Sequence, residues 1–343
     1  MKNSHWRHIL VVRTDKIGDV VLTLPLLSAL SKALPQSRID ALVQSHTQEL
    51  VEGAEGVSGV LSYDEKGRMK PLRSMWRELR RQKFDAAVVA YPRARVALLL
   101  WLAGIPVRVG SGYRWYSFLF NRRVYEHRKT AERHEAEYNV SLISGLGFEA
   151  GPMTPPRIQL SGDEKAEARK LWTQLGLRSQ KPLAILHPGS CGSARDWKPE
   201  RFVELATSLR ERFFQVVMTG SGSEREFIER LAKESGALVL AGSLTLRSLA
   251  AFIETASVFV SNSTGPLHMA AAVGTPVVAF YPPVKAMSPA RWGPLAERKR
   301  IFVPSPEKCP LCKGGACRSN VCMDQIEVPN VVEAIQTLLA ERK

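Results

Sequence analysis

The stretch HILVVRTDKIGDVVLTLPLL, His8 to Leu27, decides the fold. Its opening, HILVVR (8–13), is a short apolar run of the kind that makes a strand buried on both faces. Gly18 and Asp19 follow where the chain must turn. An apolar stretch comes next, with Pro25 early enough for the first turn of a helix and Thr23 as the expected cap. Strand, tight turn and helix make the first half of a βαβ unit. The alternation continues, with strands expected at 38–44, 57–63, 84–91 and 107–110. Helical patterns lie between them, around 20–34, 46–54, 69–83 and 94–103. Apolar strands separated by helices indicate a parallel sheet covered on both faces.

After Gly145 the composition shifts. GLGFEAGPMTPPRIQLSGDE is rich in Gly and Pro and reads as a linker. Strands then resume at 182–190, 214–223, 237–242, 257–262 and 275–281, with a helix at 198–213. The closing PNVVEAIQTLLAER places Val331, Val332, Ile335, Leu338 and Leu339 on one helical face. The expected fold class is α/β, two doubly wound Rossmann-like domains facing a crevice. Domain bounds are expected at 1–155 and 163–328, with a terminal helix at 329–343 packing back towards the first domain. In such sheets ligands bind at the carboxyl ends of the strands.

The formal net charge is +15, and it is concentrated. Residues 66–133 hold 17 Lys and Arg against four Asp and Glu, which supplies +13 of the excess. A bias of that size points to an anionic partner rather than to ordinary solvated helix faces. Within the window, SGYRWYSFLFNRR (111–123) interleaves aromatic residues with the charges. It can rest at a membrane surface or close the domain core. The longest apolar run, Val96 to Val107, is too short to span a bilayer and contains Gly and Pro. The N-terminus turns charged too soon for a secretory signal, so the expected location is cytoplasmic.

Four strand ends carry the chemistry. In TDKIGD, Lys16 and Gly18 flank the turn. Asp19 is either a helix-terminal acid favoured by the dipole or a carboxylate free to accept a proton. HPGSCGSARDWKPERF (187–202) has Gly189 and Ser190 after a strand, with Arg195 and Lys198 before a helix. Such backbone N–H groups and cations suit a phosphate. TGSGSERE (219–226) has Arg225 where the third glycine of a dinucleotide fingerprint belongs, which argues against NAD. Glu224 there is an acceptor for ribose hydroxyls or a plain first-turn acid. SNSTGPLHMAAAVGTPVV (261–278) starts a small-residue helix whose first N–H groups, at Thr264 and Gly265, form an anion site with His268 one turn in.

Cys191 stands alone. Cys309, Cys312, Cys317 and Cys322 are spaced C-x2-C-x4-C-x4-C, a candidate structural zinc site close to a zinc knuckle. Reduced thiols are the plainer reading, and disulfides are disfavoured in a reducing compartment.

With RTDKIGDVVLTLPLL at one end and SNSTGPLHMAAAVGTPVV near the other, the chain resembles the lipopolysaccharide heptosyltransferases, inverting glycosyltransferases of family 9 with the two-domain glycosyltransferase B architecture. The resemblance runs along nearly the whole chain, and the cysteine loop is most like that of heptosyltransferase II. It implies transfer of heptose from ADP-L-glycero-D-manno-heptose to a lipid A–Kdo acceptor or its heptosylated form, without metal or other cofactor in the chemistry. It implies Asp19 as catalytic base, with Lys16 and Gly18 in the adjoining acceptor-side loop. Gly189, Ser190, Arg195, Lys198, Glu224, Ser263, Thr264, Gly265 and His268 become the donor-nucleotide contacts. The family often has Asp where Ser263 stands, and its Lys corresponds here to Arg195 or to Lys198. The partners implied are the ADP-heptose donor, the anionic lipopolysaccharide core and the cytoplasmic face of the inner membrane, peripherally, with no nucleic acid. A related enzyme using another nucleotide sugar is the nearest alternative. Of a different class is a nucleic-acid-binding protein with a four-cysteine zinc knuckle, which would explain charge and cysteines but not the anion-binding strand ends.

Overall fold

The computed structural model describes residues 6–190, 192, 195–305 and 321–341. The chain divides into two compact units: 1–128 with 133–156, and 129–132 with 157–343. No helix among the described residues is long and apolar enough to cross a membrane.

The first unit holds the strands β1 (His8–Val12), β2 (Arg38–Val43), β3 (Gly59–Ser62), the small ribbon β4 (Asp64–Glu65) and β5 (Arg68–Met69), then β6 (Ala86–Val89), β7 (Val107–Ser111) and β8 (Arg122–Val124). Its helices are α1 (Ile17–Val21), α2 (Leu24–Ala33), α3 (Gln48–Val51), α4 (Leu72–Gln82), α5 (Ala94–Leu102) and α6 (Glu135–Val140). The sheet runs β3-β2-β1-β6-β7-β8, with every neighbouring pair parallel. Ile9, Leu10, Val11 and Val12 are all buried, because helices cover both sides of β1. Pro25 sits in the first turn of α2 as expected. Thr23 precedes that helix, but its hydroxyl donates to the Asp19 carbonyl at 2.8 Å instead of capping it.

The second unit repeats the plan with β9 (Leu183–His187), β10 (Gln215–Gly220), β11 (Leu238–Ala241), β12 (Val258–Asn262), β13 (Val277–Phe280) and β14 (Lys299–Phe302). They run β11-β10-β9-β12-β13-β14, all parallel. Its helices are α7 (Gly162–Gln174), α8 (Pro199–Glu211), α9 (Arg225–Ser235), α10 (Leu246–Glu254), α11 (Gly265–Ala272), α12 (Pro289–Trp292) and α13 (Val328–Ala340). Val331, Val332, Ile335 and Leu338 of α13 are buried in this unit's own core beside Phe202 and Leu205 of α8.

Both sheets therefore have the doubly wound order 3-2-1-4-5-6. The order reverses between β1 and β6 in one unit and between β9 and β12 in the other. Those are the positions where such sheets leave room for a ligand at the carboxyl ends.

Candidate active site

In the first unit the end of β1 carries a buried charge cluster. Arg13, 3% exposed, donates through Nε to Asp15 Oδ1 at 2.7 Å. Its terminal nitrogens reach Asp19 Oδ1, Glu135 Oε1 at 3.3 Å and Asn139 Oδ1 at 3.2 Å. The Tyr91 ring lies 5.6 Å from the same guanidinium. Glu135 also accepts from Arg128, which in turn donates to Asn139 Oδ1 and the Tyr138 carbonyl. Asn139 closes the cluster by donating to the Leu22 carbonyl at 2.9 Å.

Local structure explains the aim of these groups. A capping box starts α6: His134 Nδ1 accepts from the Ala136 N–H and Glu137 reaches back to the His134 N–H. Glu135 and Asn139, four apart, then share one helical face. Asp19 lies in the first turn of the short α1, its side chain 16% exposed. Its carboxylate serves Arg13 rather than the helix cap. Burial raises Asp19 above its ordinary value; Arg13 opposes the shift and Glu135 adds to it. Asp15 is pushed up to about 7, again by burial against the pull of Arg13. Gly18 is buried beneath the turn and Lys16 is exposed beside it. The cluster thus gathers the carboxylates of Asp15, Asp19 and Glu135 around one buried guanidinium.

In the second unit three loops converge at the ends of β9, β10 and β12. Gly189 lies so close to Glu224 that a Cβ there would sit 2.0 Å from Glu224 Oε1. Glu224 Oε2 also accepts from the Ser221 N–H and hydroxyl at 2.9 and 2.6 Å, so the acid is a first-turn capping-box residue pressed against the β9 loop. Asn262, fully buried, ties β12 to that loop: Nδ2 donates to the Pro188 carbonyl and Oδ1 accepts from the Trp197 N–H. Ser190 donates to Asp196 Oδ2 at 2.7 Å. Burial pushes Asp196 up to about 6, with Glu224 adding to the shift. His187 at the end of β9 meets Thr219 Oγ1 at 2.9 Å, and burial pushes it down to about 4, so it is neutral near pH 7.

The β12–α11 turn completes the set. Thr264 precedes α11, but its hydroxyl pairs with Ser261 at 2.9 Å and leaves the helix without a side-chain cap. The first-turn N–H groups, beginning at Gly265, therefore keep their capacity for an anion. His268 and Arg195 are buried near these loops. Ser263 instead faces the buried Tyr281 hydroxyl. Lys198 is drawn elsewhere: its ammonium meets Asp324 Oδ2 at 2.7 Å at the surface. Arg13, Glu135, Asn139, Asp196 and Asn262 join these clusters through the fold and not through a motif. The i, i+4 pairing of Glu135 with Asn139 is the one local signal that points to any of them.

Three of the candidate zinc ligands, Cys309, Cys312 and Cys317, lie outside the described residues, as does Cys191. Cys322 is buried in the second unit's apolar core beside Met323 and Ile326. Among the described residues no group of three His, Cys, Asp or Glu could hold a metal ion.

Residues 72–321 match the sequence profile described as glycosyltransferase family 9 (heptosyltransferase). A Haemophilus influenzae protein described as a putative glycosyltransferase is 30% identical over 340 residues, 96% of each chain. Lipopolysaccharide heptosyltransferase 2 of Escherichia coli K12 is 28% identical over 315 residues, 86% of this chain and 87% of that one. The solved structure of E. coli ADP-heptose lps heptosyltransferase II superposes with a TM-score of 0.80 at 25% identity, covering 97% of this chain and 99% of that one.

Proposed function

The chain belongs to glycosyltransferase family 9, and from that premise we propose that it moves a heptose from ADP-L-glycero-D-manno-heptose to the lipopolysaccharide inner core, with inversion at the anomeric carbon. The second unit takes the donor. First-turn N–H groups of α11, the Gly189–Ser190 loop and Arg195 neutralise the diphosphate, and Glu224 accepts from the ribose hydroxyls. His268 and Thr264 border the phosphates. The first unit takes the acceptor, whose phosphates and Kdo carboxylates suit its Arg and Lys excess. Asp19 removes the proton of the attacking hydroxyl as the new C–O bond forms. The bond from the anomeric carbon to the diphosphate breaks, and ADP leaves with its charge held by fixed donors. Diphosphate leaves readily, so fixed positive charge serves where a weaker leaving group would need a strong acid. Because the acceptor is a lipid, the protein works at the cytoplasmic face of the inner membrane without spanning it.

One observation carries this reading: at the reversal point of the second sheet, Gly189, Glu224 and the uncapped start of α11 converge on loops tied together by Asn262. A related transferase using another nucleotide sugar is the second reading, because Ser263 stands where the family often has Asp. Nucleic-acid binding has no support in the family assignment. Thermal unfolding with ADP, UDP, GDP, NAD and a short RNA, each saturating, separates these readings, since a ligand of the folded state raises the melting temperature. ADP alone should stabilise. Stabilisation by UDP or GDP instead would overturn the donor, and stabilisation by RNA alone would overturn the class.

A further inference from the structure

The segment 111–123 both closes the core and leaves it. Tyr116 and Phe120 are buried in the first unit's core with Leu99 and Leu100 of α5, and the Tyr116 hydroxyl donates to the Pro92 carbonyl at 2.7 Å. These anchors fix the turn they belong to, and their chain neighbours Trp115 and Phe118 stand out from it, 81% and 64% exposed. Helix α5 packs beside this turn. It buries Val96, Ala97, Leu99 and Leu100 and turns Leu98, Trp101 and Leu102 outward. Large apolar side chains therefore stand exposed on two adjoining elements, which marks an interaction surface.

Charge says what covers it. Residues 86–125 contain six arginines and no Asp or Glu. Arg114, Arg122 and Arg123 are exposed on the segment that carries Trp115 and Phe118, and Arg73, Arg77 and Arg80 are exposed along α4, which packs on α5. A second copy of this chain would bring arginines against arginines. A surface with apolar depth and an anionic rim matches both features, and aromatic residues favour such boundaries.

We propose that the face formed by α5 and the 113–118 turn docks the first unit on an anionic lipid bilayer, with Trp101, Trp115 and Phe118 at the headgroup boundary and Arg114, Arg122 and Arg123 on lipid phosphates. The inference rests on the transferase reading only for why a membrane should be near. It names the contact surface, which that reading leaves open.

The test is co-sedimentation of the full chain with phosphatidylglycerol-containing vesicles and with pure phosphatidylcholine vesicles. The parent should bind the anionic vesicles, less so at high salt. The double variant Trp115→Ser, Phe118→Ser should lose roughly tenfold or more of that binding, with the melting temperature and the transfer rate to a delipidated core oligosaccharide unchanged. Arg122→Glu with Arg123→Glu should weaken binding to the anionic vesicles alone. Parent-like sedimentation of the aromatic variant overturns the proposal, as does a parent dimer that the variant dissolves. So does parent retention on RNA with none on vesicles. Absence of vesicle binding with intact heptose transfer sinks this inference alone. Vesicle binding without any transfer sinks the transferase reading alone.

Discussion

Arg13 and Glu135, 122 positions apart in sequence, meet at 3.3 Å in the core of the first unit, and the same guanidinium holds Asp19. The three groups form one electrostatic unit, so the behaviour of Asp19 depends on a residue from the far end of its own domain. A base must be ionised to act, so turnover should rise with pH as Asp19 loses its proton. Burial raises Asp19, so the acid limb of the kcat profile should lie above the ordinary carboxylate range of about 4. Glu135→Gln removes a negative charge that helps to hold the proton. The limb should then move to lower pH, with KM for the donor little changed. A limb that stays in place would dissociate Glu135 from Asp19.

Gly189→Ala should weaken nucleotide binding without unfolding the protein. Its new Cβ would meet Glu224 Oε1 at 2.0 Å, and the acid must swing away. ADP affinity by calorimetry should fall at least about tenfold, the scale on which a lost charged hydrogen bond acts. Glu224→Gln should weaken ADP binding more mildly, because it keeps the shape.

Asn262→Ala should destabilise the second unit by about 2–3 kcal/mol, since it strands the buried Trp197 N–H and Pro188 carbonyl. The melting temperature should drop by several degrees, and ADP should recover part of the loss by mass action.

Asp196 gives a pH signature of its own. The folded chain holds its proton up to about pH 6 and the unfolded chain only to about 4. The stability from this group is therefore present at low pH, is lost as pH rises through that window, and stays lost above it. Asp196→Asn should flatten the fall in melting temperature between those pH values.

The sheets were legible because their central strands are continuous apolar runs, as in HILVV and LAILH. β8 and β14 were not, since RRV and KRIF lie at sheet edges where partial exposure admits charge. Gly189 and Thr264 stand out as candidates in the sequence because strand-to-helix turns have local signatures. Arg13, Glu135 and Asn262 act through partners far along the chain, and no spacing rule reports such a pairing. Lys198 shows the same limit: its neighbours in sequence suggest a phosphate contact, and its ion pair with Asp324, remote in sequence, has no local signal.

The most direct test is mass spectrometry of a heptose-deficient core acceptor after incubation with ADP-L-glycero-D-manno-heptose and either the parent protein or Asp19→Asn. The account predicts the mass gain of one heptose with the parent. It predicts a rate at least about a hundredfold lower with the variant, at undiminished ADP affinity. Transfer at the parent rate by Asp19→Asn, or transfer only from a UDP- or GDP-sugar, would contradict it.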